Sequence, residues 1–161
     1  MEIILKTILT GIGATLIMDI WAWLLRKLFN IQGLNYAFVG RWIGHIFKGK
    51  FTHNPIMASA PIPGELTLGW MAHYGIGITF SILLVMLWGP EWLVSPTILP
   101  ALIIGIGTTA APFFLMQPGM GLGIAASRTP KPGIARGKSL MAHTVYGIGL
   151  YLAALLLTLL P

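Results

Sequence analysis

Two histidines lie inside long apolar runs of the chain, in closely similar sequence contexts. The first follows Trp70-Met-Ala as His73 and is itself followed by Tyr-Gly-Ile-Gly; the second occurs in Met141-Ala-His143, ahead of Tyr146-Gly-Ile-Gly. Ionisable side chains are costly in hydrocarbon and usually mark proton or ion pathways there. Histidine changes its charge near neutral pH, and beside a carboxylate it forms a proton relay or an ion-coordinating pair. The pattern predicts a polar centre built around the two histidines.

The apolar runs that carry these histidines are long enough to cross a membrane. Hydrophobic residues make up 56% of the 161-residue chain and charged residues 9%, whereas a soluble domain is roughly a quarter charged. We therefore expect one all-α integral membrane domain over residues 1–161, a four-transmembrane-helix bundle with non-spanning segments at 26–67 and 117–139. The predicted spans exceed the ~18 residues that mark a transmembrane helix and run at Ile3–Leu25, Leu68–Trp88, Thr97–Met116 and Leu140–Leu160.

The basic residues indicate an orientation in the membrane. Nine of the ten Lys and Arg residues lie in the two segments between predicted spans, and only Lys6 lies toward the opposite side. The positive-inside rule then puts both segments in the cytoplasm and both termini outside. The pI of 10.0 thus reflects topology, and we expect no nucleic-acid partner. Zero cysteines exclude disulfides and thiolate metal sites.

The first apolar run is expected to remain as a helix, not to be cleaved as a signal peptide. A signal peptide carries its basic residues before the apolar stretch, whereas Arg26 and Lys27 follow it here. The run also contains Asp19, which lies about 10 Å inside the cytoplasmic edge of the predicted span.

This topology brings one polar side chain from each span to the same cytoplasmic-side layer. Asp19 is near the end of the first span and Gln117 closes the third, while His73 and His143 are near the starts of the second and fourth. We predict that the two histidines face each other and share a polar pocket with Asp19. The alternative is that these groups only hydrogen-bond to one another as structural links between helices.

The segment between the first two spans shows a helical pattern of its own. Phe38, Trp42 and Ile46 fall on one face, and Arg41 and His45 fall on another. This predicts an interfacial amphipathic helix around Phe38–Phe47 with its basic face toward anionic head groups. A solvated loop with scattered aromatic residues is the alternative.

The tripeptide Gly-Ile-Gly occurs once in each predicted span, at Gly11–Gly13, Gly75–Gly77, Gly105–Gly107 and Gly147–Gly149. Small residues let membrane helices approach closely. Glycines two positions apart point to different sides of a helix, so each span is expected to pack against two neighbours. Either a parallel duplication of the first helix pair or a composition rich in Gly and Ile explains the recurrence.

Five stretches of the chain form recognisable motifs: Asn35-Tyr-Ala-Phe-Val-Gly-Arg-Trp-Ile-Gly-His45, Pro63-Gly-Glu65, Gly69-Trp-Met-Ala-His-Tyr74, Met116-Gln-Pro-Gly-Met-Gly121 and Ala126-Ser-Arg-Thr-Pro130. Together they resemble a bacterial inner-membrane family, domain of unknown function 2938. The resemblance implies a small multi-pass bacterial inner-membrane protein and no particular activity. The motif residues that it implies for this chain are Asp19, Arg41, His45, Glu65, His73, Gln117, Arg128 and His143.

The pattern of polar residues inside the predicted spans favours a small, proton-linked transporter or permeation module. Four helices make a thin pathway, so we expect a homodimer in the lipid bilayer, acting on a small molecule or ion whose identity stays open. Its binding site would comprise Asp19, His73, Tyr74, Gln117, His143 and Glu65, with Arg41, His45 and Arg128 at the cytoplasmic mouth.

Two other functions remain open at this point. His73 and His143 would be the ligands of haem iron or of a metal ion in a membrane redox protein. Alternatively, His45, Glu65 and the loop around Arg128 would act on a lipid head group at the cytoplasmic face. No nucleophile–base spacing supports that last hypothesis, so no catalytic residue is assigned.

Overall fold

The protein is all-helical in the computed structural model, which describes residues 2–159 and contains no strand in that range. The predicted all-α class is therefore confirmed. The α-helices are α1 (Glu2–Phe29), α2 (Tyr36–Ile46), α3 (Glu65–Trp88), α4 (Ile98–Gly107), α5 (Gln117–Gly119) and α6 (Pro132–Thr158). Three 3₁₀ turns occupy Ile56–Ala58, Pro90–Leu93 and Ile124–Ala126, and a π-helical turn occupies Pro112–Met116.

Four helical stretches are long and apolar enough to cross a membrane, and they match the four predicted spans. They are α1, α3, the stretch Ile98–Gly119 and α6. Their boundaries differ from the prediction, since α1 runs from Glu2 to Phe29, α3 begins at Glu65, the third stretch runs from Ile98 to Gly119 and α6 begins at Pro132. The predicted end of the fourth span at Leu160 and both chain termini lie outside the described residues.

These longer helices end at local backbone signals and not where the apolar residues stop. Asn30 adopts a left-handed φ of 54° after α1, and Gly64 has a φ of 73° before α3. Proline at the first position of α6 suits a helix start, because its missing N–H would be unpaired there anyway. The polar residues of the predicted layer consequently lie farther from the helix ends than hydropathy suggested.

Pro112 interrupts the third span, as its sequence position predicts. A proline has no N–H to give to the carbonyl four residues earlier, which here is that of Thr108. The α-helix ends at Gly107, and a π-helical turn follows at Pro112–Met116. Such π-turns occur frequently at functional sites.

The described residues form two compact units, and the first comprises those of 1–33, 74–108 and 141–161. Here α1 runs antiparallel to α3, since Ser81 Oγ donates to the Thr7 carbonyl at 2.8 Å and Tyr74 reaches Asp19. Tyr146 on α6 donates to the Gly77 carbonyl at 2.6 Å. The core of this unit contains Ala14, Leu84, Trp92, Leu93, Ala101, Ile104, Tyr146, Leu150 and Ala154.

In α1, the two glycines of Gly-Ile-Gly contact two different helices, as predicted. A Cβ on Gly11 would lie 2.7 Å from Ile78 Cα of α3, whereas one on Gly13 would lie 2.8 Å from Ala153 Cβ of α6. The pair in α6 behaves in the same way. A Cβ on Gly147 would lie 2.8 Å from the Ala101 carbonyl of α4, and a Cβ on Gly149 would lie 2.9 Å from Ala14 of α1.

In α3 and α4, by contrast, only one glycine of each pair makes a close contact. Gly77 faces α1, and a Cβ on Gly105 would lie 2.6 Å from the His143 carbonyl of α6. Gly75 and Gly107 have open space within 4 Å of the position of an added Cβ. The prediction that every span uses both glycines is therefore wrong for these two helices.

The second unit comprises residues 34–73 and 109–140. Its α2 confirms the helix predicted around Phe38–Phe47, and the Asn35 side chain caps it by accepting from Ala37 N at 3.0 Å. A Cβ on Gly40 would collide with the Glu65 carbonyl at the start of α3, so the two backbones touch. The core of this unit is Val39, Ile56 and Met120, surrounded by Tyr36, Phe38, Trp42, Ile43, Met116 and Leu122.

Candidate functional site

A carboxylate and a phenol are hydrogen-bonded inside the first unit. The Tyr74 hydroxyl on α3 donates to Asp19 Oδ2 on α1 at 3.0 Å. Asp19 lies about 15 Å from the end of α1 and Tyr74 about 14 Å from the start of α3, at 1.5 Å rise per residue. The hydrocarbon core of a bilayer is about 30 Å thick, and an aspartate is too short to reach its edge from such a depth. The pair therefore belongs to the interior of the spans.

His143 makes a second polar contact in the same unit. The hydroxyl of Thr108 lies 2.9 Å from the Gly105 carbonyl and 3.1 Å from His143 Nδ1. A carbonyl only accepts, so the single hydroxyl proton goes to Gly105, and Nδ1–H of the histidine donates to Thr108. Both the neutral ring and the imidazolium satisfy this arrangement.

His73 belongs to the second unit, where it lies in an aromatic cluster. Its Nε2 is 3.0 Å from the Tyr36 hydroxyl. The Tyr36 and Trp70 ring centroids are 4.3 Å apart, and the Trp70 and His73 centroids are 5.7 Å apart. A phenol both donates and accepts, so this contact suits either tautomer of the histidine.

Gln117 is buried in the second unit at the end of the third span. Its Nε2 donates to Ser139 Oγ at 3.2 Å. Its Oε1 is buried and has no hydrogen-bond partner within residues 2–159. Buried polar atoms almost always have a partner, which makes this amide a candidate contact for a bound molecule or water.

Arg41 and Glu65 form a two-pronged ion pair in the second unit. Arg41 Nε donates to Glu65 Oε2 at 2.9 Å, and Nη2 donates to Oε1 at 2.8 Å. Nη1 donates to the Ser59 carbonyl at 3.0 Å, and Glu65 also accepts from Ile62 N at 3.0 Å. The bond to Glu65 raises the pKa of Arg41 above its ordinary value. Arg41 is buried, so its expected orientation toward head groups is wrong, because its guanidinium is engaged in this pair.

His45 contacts another histidine, His53, in the same unit. His45 Nε2 donates to the Ala60 carbonyl at 3.0 Å, His53 Nδ1 lies 2.7 Å from Ser59 Oγ, and the ring centroids are 5.0 Å apart. Burial lowers the pKa of His53, and the positive charge of Lys50 acts in the same direction. These contacts tie His45, in the last turn of α2, to the loop that contains His53 and Ala60.

Arg128 is exposed at the end of the glycine-rich loop that follows the third span. Its backbone N–H donates to the Leu122 carbonyl at 2.8 Å. It forms no ion pair with any residue of the described chain, so its guanidinium stays available for an anionic partner.

The candidate residues are divided between the two units. Asp19, Tyr74 and His143 belong to the first, and the second contains His73, Gln117, Glu65, Arg41, His45 and Arg128. The direct meeting of His73 and His143 stays a prediction, and so does their joint binding of haem or a metal. Within residues 2–159 there is no group of three or more His, Asp and Glu side chains able to hold a metal ion.

Three residues that contact these candidate residues were not predicted from the sequence. Thr108 has the clearest signal, because it directly follows Gly-Ile-Gly and lies four positions before a proline that releases its carbonyl. Tyr36, which contacts His73, and His53 have no comparable signal, because their partners are distant or lie in an irregular loop.

Comparison with known proteins identifies one match. A family model described as "Protein of unknown function (DUF2938)" matches residues 8–157. That range contains every candidate residue from Asp19 to His143. Neither the curated proteins nor the solved structures gave a match.

Proposed function

We propose that this chain, which belongs to the DUF2938 family, is a small proton-linked transporter or permeation module of the bacterial inner membrane. The observation that carries the proposal is the hydrogen bond between Tyr74 and Asp19, which lie on two helices apolar enough to span a membrane. An ionisable residue within a span is costly to retain, and such residues mark ion and proton pathways.

The chemistry of this pair suits a reversible change of charge. Tyr74 donates to Oδ2 of Asp19, and a phenol hydroxyl both donates and accepts, so it can partner a carboxylate or a carboxylic acid. His143 is held by the Thr108 hydroxyl through Nδ1, and an imidazole N–H can donate such a bond from the neutral ring and from the charged ring alike. A carboxyl group and an imidazole held by these bonds are the groups through which we propose that protons pass.

The proposed orientation follows from the basic residues. Both basic segments face the cytoplasm and both termini face the periplasm, because nine of the ten Lys and Arg residues lie within residues 26–67 and 117–139, at this one end of the spans and in the segments that join them. A reporter fused after Pro161 should therefore be active only as a periplasmic enzyme. Activity of the cytoplasmic reporter alone at that position would contradict the orientation.

The test measures charge movement and does not require a known substrate. The full chain is reconstituted in liposomes on a solid-supported membrane, and a rapid pH step is applied. We expect a transient current in the wild type that is lost in Asp19→Asn and strongly reduced in His143→Gln. The matched control is Thr79→Val, because Thr79 is a polar residue of α3 that is exposed and bonds only its own helix, at the Gly75 carbonyl.

The control variant separates the proposed chemistry from a general loss of polarity. Thr79→Val should keep the wild-type current, and circular dichroism should show unchanged helix content in all variants. A current that is equal in the wild type and in Asp19→Asn, or no current above that of empty liposomes, would contradict the proton-linked function.

A further inference from the structure

A cleft of about 410 Å³ opens at the end of α1. It is lined by Trp23, Arg26, Lys27, Asn30 and Gln32, all of which belong to the first unit. None of the candidate residues described above contributes to it. Its volume falls within the ~300–1,000 Å³ of small-molecule sites.

The chain forms this cleft by turning back after the helix. Asn30 has a left-handed φ of 54°, and its N–H donates to the Arg26 carbonyl at 3.1 Å. Gln32 Nε2 then donates to Asn30 Oδ1 at 3.4 Å. A Cβ on Gly33 would lie 3.9 Å from Ala22 Cβ, so the residues after α1 fold along its last turns and provide the second wall.

The lining of the cleft is positive and rich in hydrogen-bond donors. It contains two cations and no acidic residue, and neither Arg26 nor Lys27 forms an ion pair with another described residue. The carbonyl end of a helix contributes about half a negative charge, which leaves most of the two positive charges uncompensated. Lys27 Nζ lies 4.8 Å above the ring centroid of Trp23, so an aromatic surface adjoins the charges.

We propose that this cleft binds the phosphate-bearing head group of an anionic phospholipid from the surrounding bilayer. Arg26 and Lys27 would bind the phosphate oxygens, the side-chain amides would donate to the same group, and Trp23 would contact the glycerol region. Tryptophan is enriched at the membrane interface, and basic pockets at helix ends bind anionic head groups. The proposal rests on α1 crossing the membrane but not on proton movement through Asp19.

The experiment compares lipids that remain bound to the protein after release from the membrane. The full chain is assembled in nanodiscs of equal phosphatidylglycerol and phosphatidylcholine, and native mass spectrometry counts the retained lipids. We expect selective retention of phosphatidylglycerol in the wild type. Each basic residue near a membrane surface contributes about fivefold in affinity, so Arg26→Gln with Lys27→Gln should weaken retention about 30-fold. The matched control, Lys48→Gln with Lys50→Gln, removes the same charge from an exposed segment outside the cleft, and binding in the cleft predicts that it weakens retention far less than the cleft variant does.

Arg26 and Lys27 also help to orient the protein in the membrane, so a second variant tests the cleft without removing them. Gln32→Glu adds a carboxylate to the cleft and keeps both cations, and acidic residues contribute little to orientation. It should abolish selective retention, whereas Thr52→Glu, on an exposed residue outside the cleft, should not.

Three outcomes would overturn the proposal. The first is unchanged retention of phosphatidylglycerol in Gln32→Glu. The second is a loss of retention in the control variants as complete as in the cleft variants, which would indicate diffuse electrostatic attraction. Displacement of the lipid by excess inorganic phosphate, with phosphate itself retained by the wild type, would assign the cleft to a soluble anion. None of these results depends on the pH-step currents, so failure here leaves the proton-linked function to its own test.

Discussion

The ion pair between Arg41 and Glu65 is expected to hold α2 against the start of α3, and a double-mutant cycle measures that role. The variants are Arg41→Met, which keeps most of the apolar stem, Glu65→Met, and both together. Each single variant leaves a charged side chain without its partner. The double variant leaves none, so it should be less destabilised than the sum of the two singles.

The expected magnitude follows from the geometry of the pair. Two charge-assisted bonds of 2.8 and 2.9 Å join side chains that are 10% and 17% exposed. Removing one partner of a buried ion pair costs about 3–5 kcal/mol. Because some water reaches both side chains, we expect about 3 kcal/mol for each single variant and a coupling energy of about 2 kcal/mol.

The assay is unfolding of the purified protein in mixed micelles of increasing SDS content, followed by far-ultraviolet circular dichroism. Hydrogen exchange adds a local measurement, since faster exchange should be confined to α2 and to the residues near Ser59 that Arg41 holds. The control is Lys6→Met. That lysine pairs with Glu2 one turn away at 2.7 Å on an exposed surface, so its loss should leave the unfolding midpoint nearly unchanged.

A coupling energy below about 0.5 kcal/mol, the value of an exposed pair, would refute this role of the ion pair. Exchange in α1 that Arg41→Met accelerates as much as exchange in α2 would also refute it. Arg41→Lys provides a further check, because it keeps the charge but loses the fork that binds both carboxylate oxygens. It should retain less than half of the coupling.

Three further predictions concern packing, a buried hydroxyl and pH. Gly105→Ala should destabilise the protein by about 1–3 kcal/mol, because its Cβ would lie 2.6 Å from backbone atoms of α6, whereas Gly107→Ala has open space and should be neutral or stabilising in SDS unfolding. Tyr146→Phe should cost about 0.6–1.7 kcal/mol, from the average to the largest value measured for interhelical hydrogen bonds in a membrane protein, and an unchanged midpoint would contradict the bond to Gly77. Burial lowers the pKa of His53, so its imidazole binds a proton more readily in the unfolded chain than in the folded one. The free energy of unfolding should therefore be constant above about pH 6.5 and decrease below it. An equally steep decrease in His53→Asn would show that other groups cause it.

The sequence alone determined the class of this protein, its four spans and the residues that make its interior polar. The length of an apolar run is a local property, and a bilayer imposes the same requirement on every span. For that reason the windows around Asp19, His73 and His143 were recognisable without a fold. The break at Pro112 was predictable on equally local grounds, because proline removes a backbone donor wherever it occurs.

Only the tertiary structure decided which groups meet. Composition shows that Gly75 and Gly77 are both small, but only Gly77 lies where another helix crosses. Arg41 looked like a surface cation until Glu65, 24 residues away, was found beside it. Helix ends follow backbone conformation and not hydropathy, and hydrogen-bond partners depend on the angles at which helices cross. These properties arise from the packing of distant segments, which no single stretch of sequence contains.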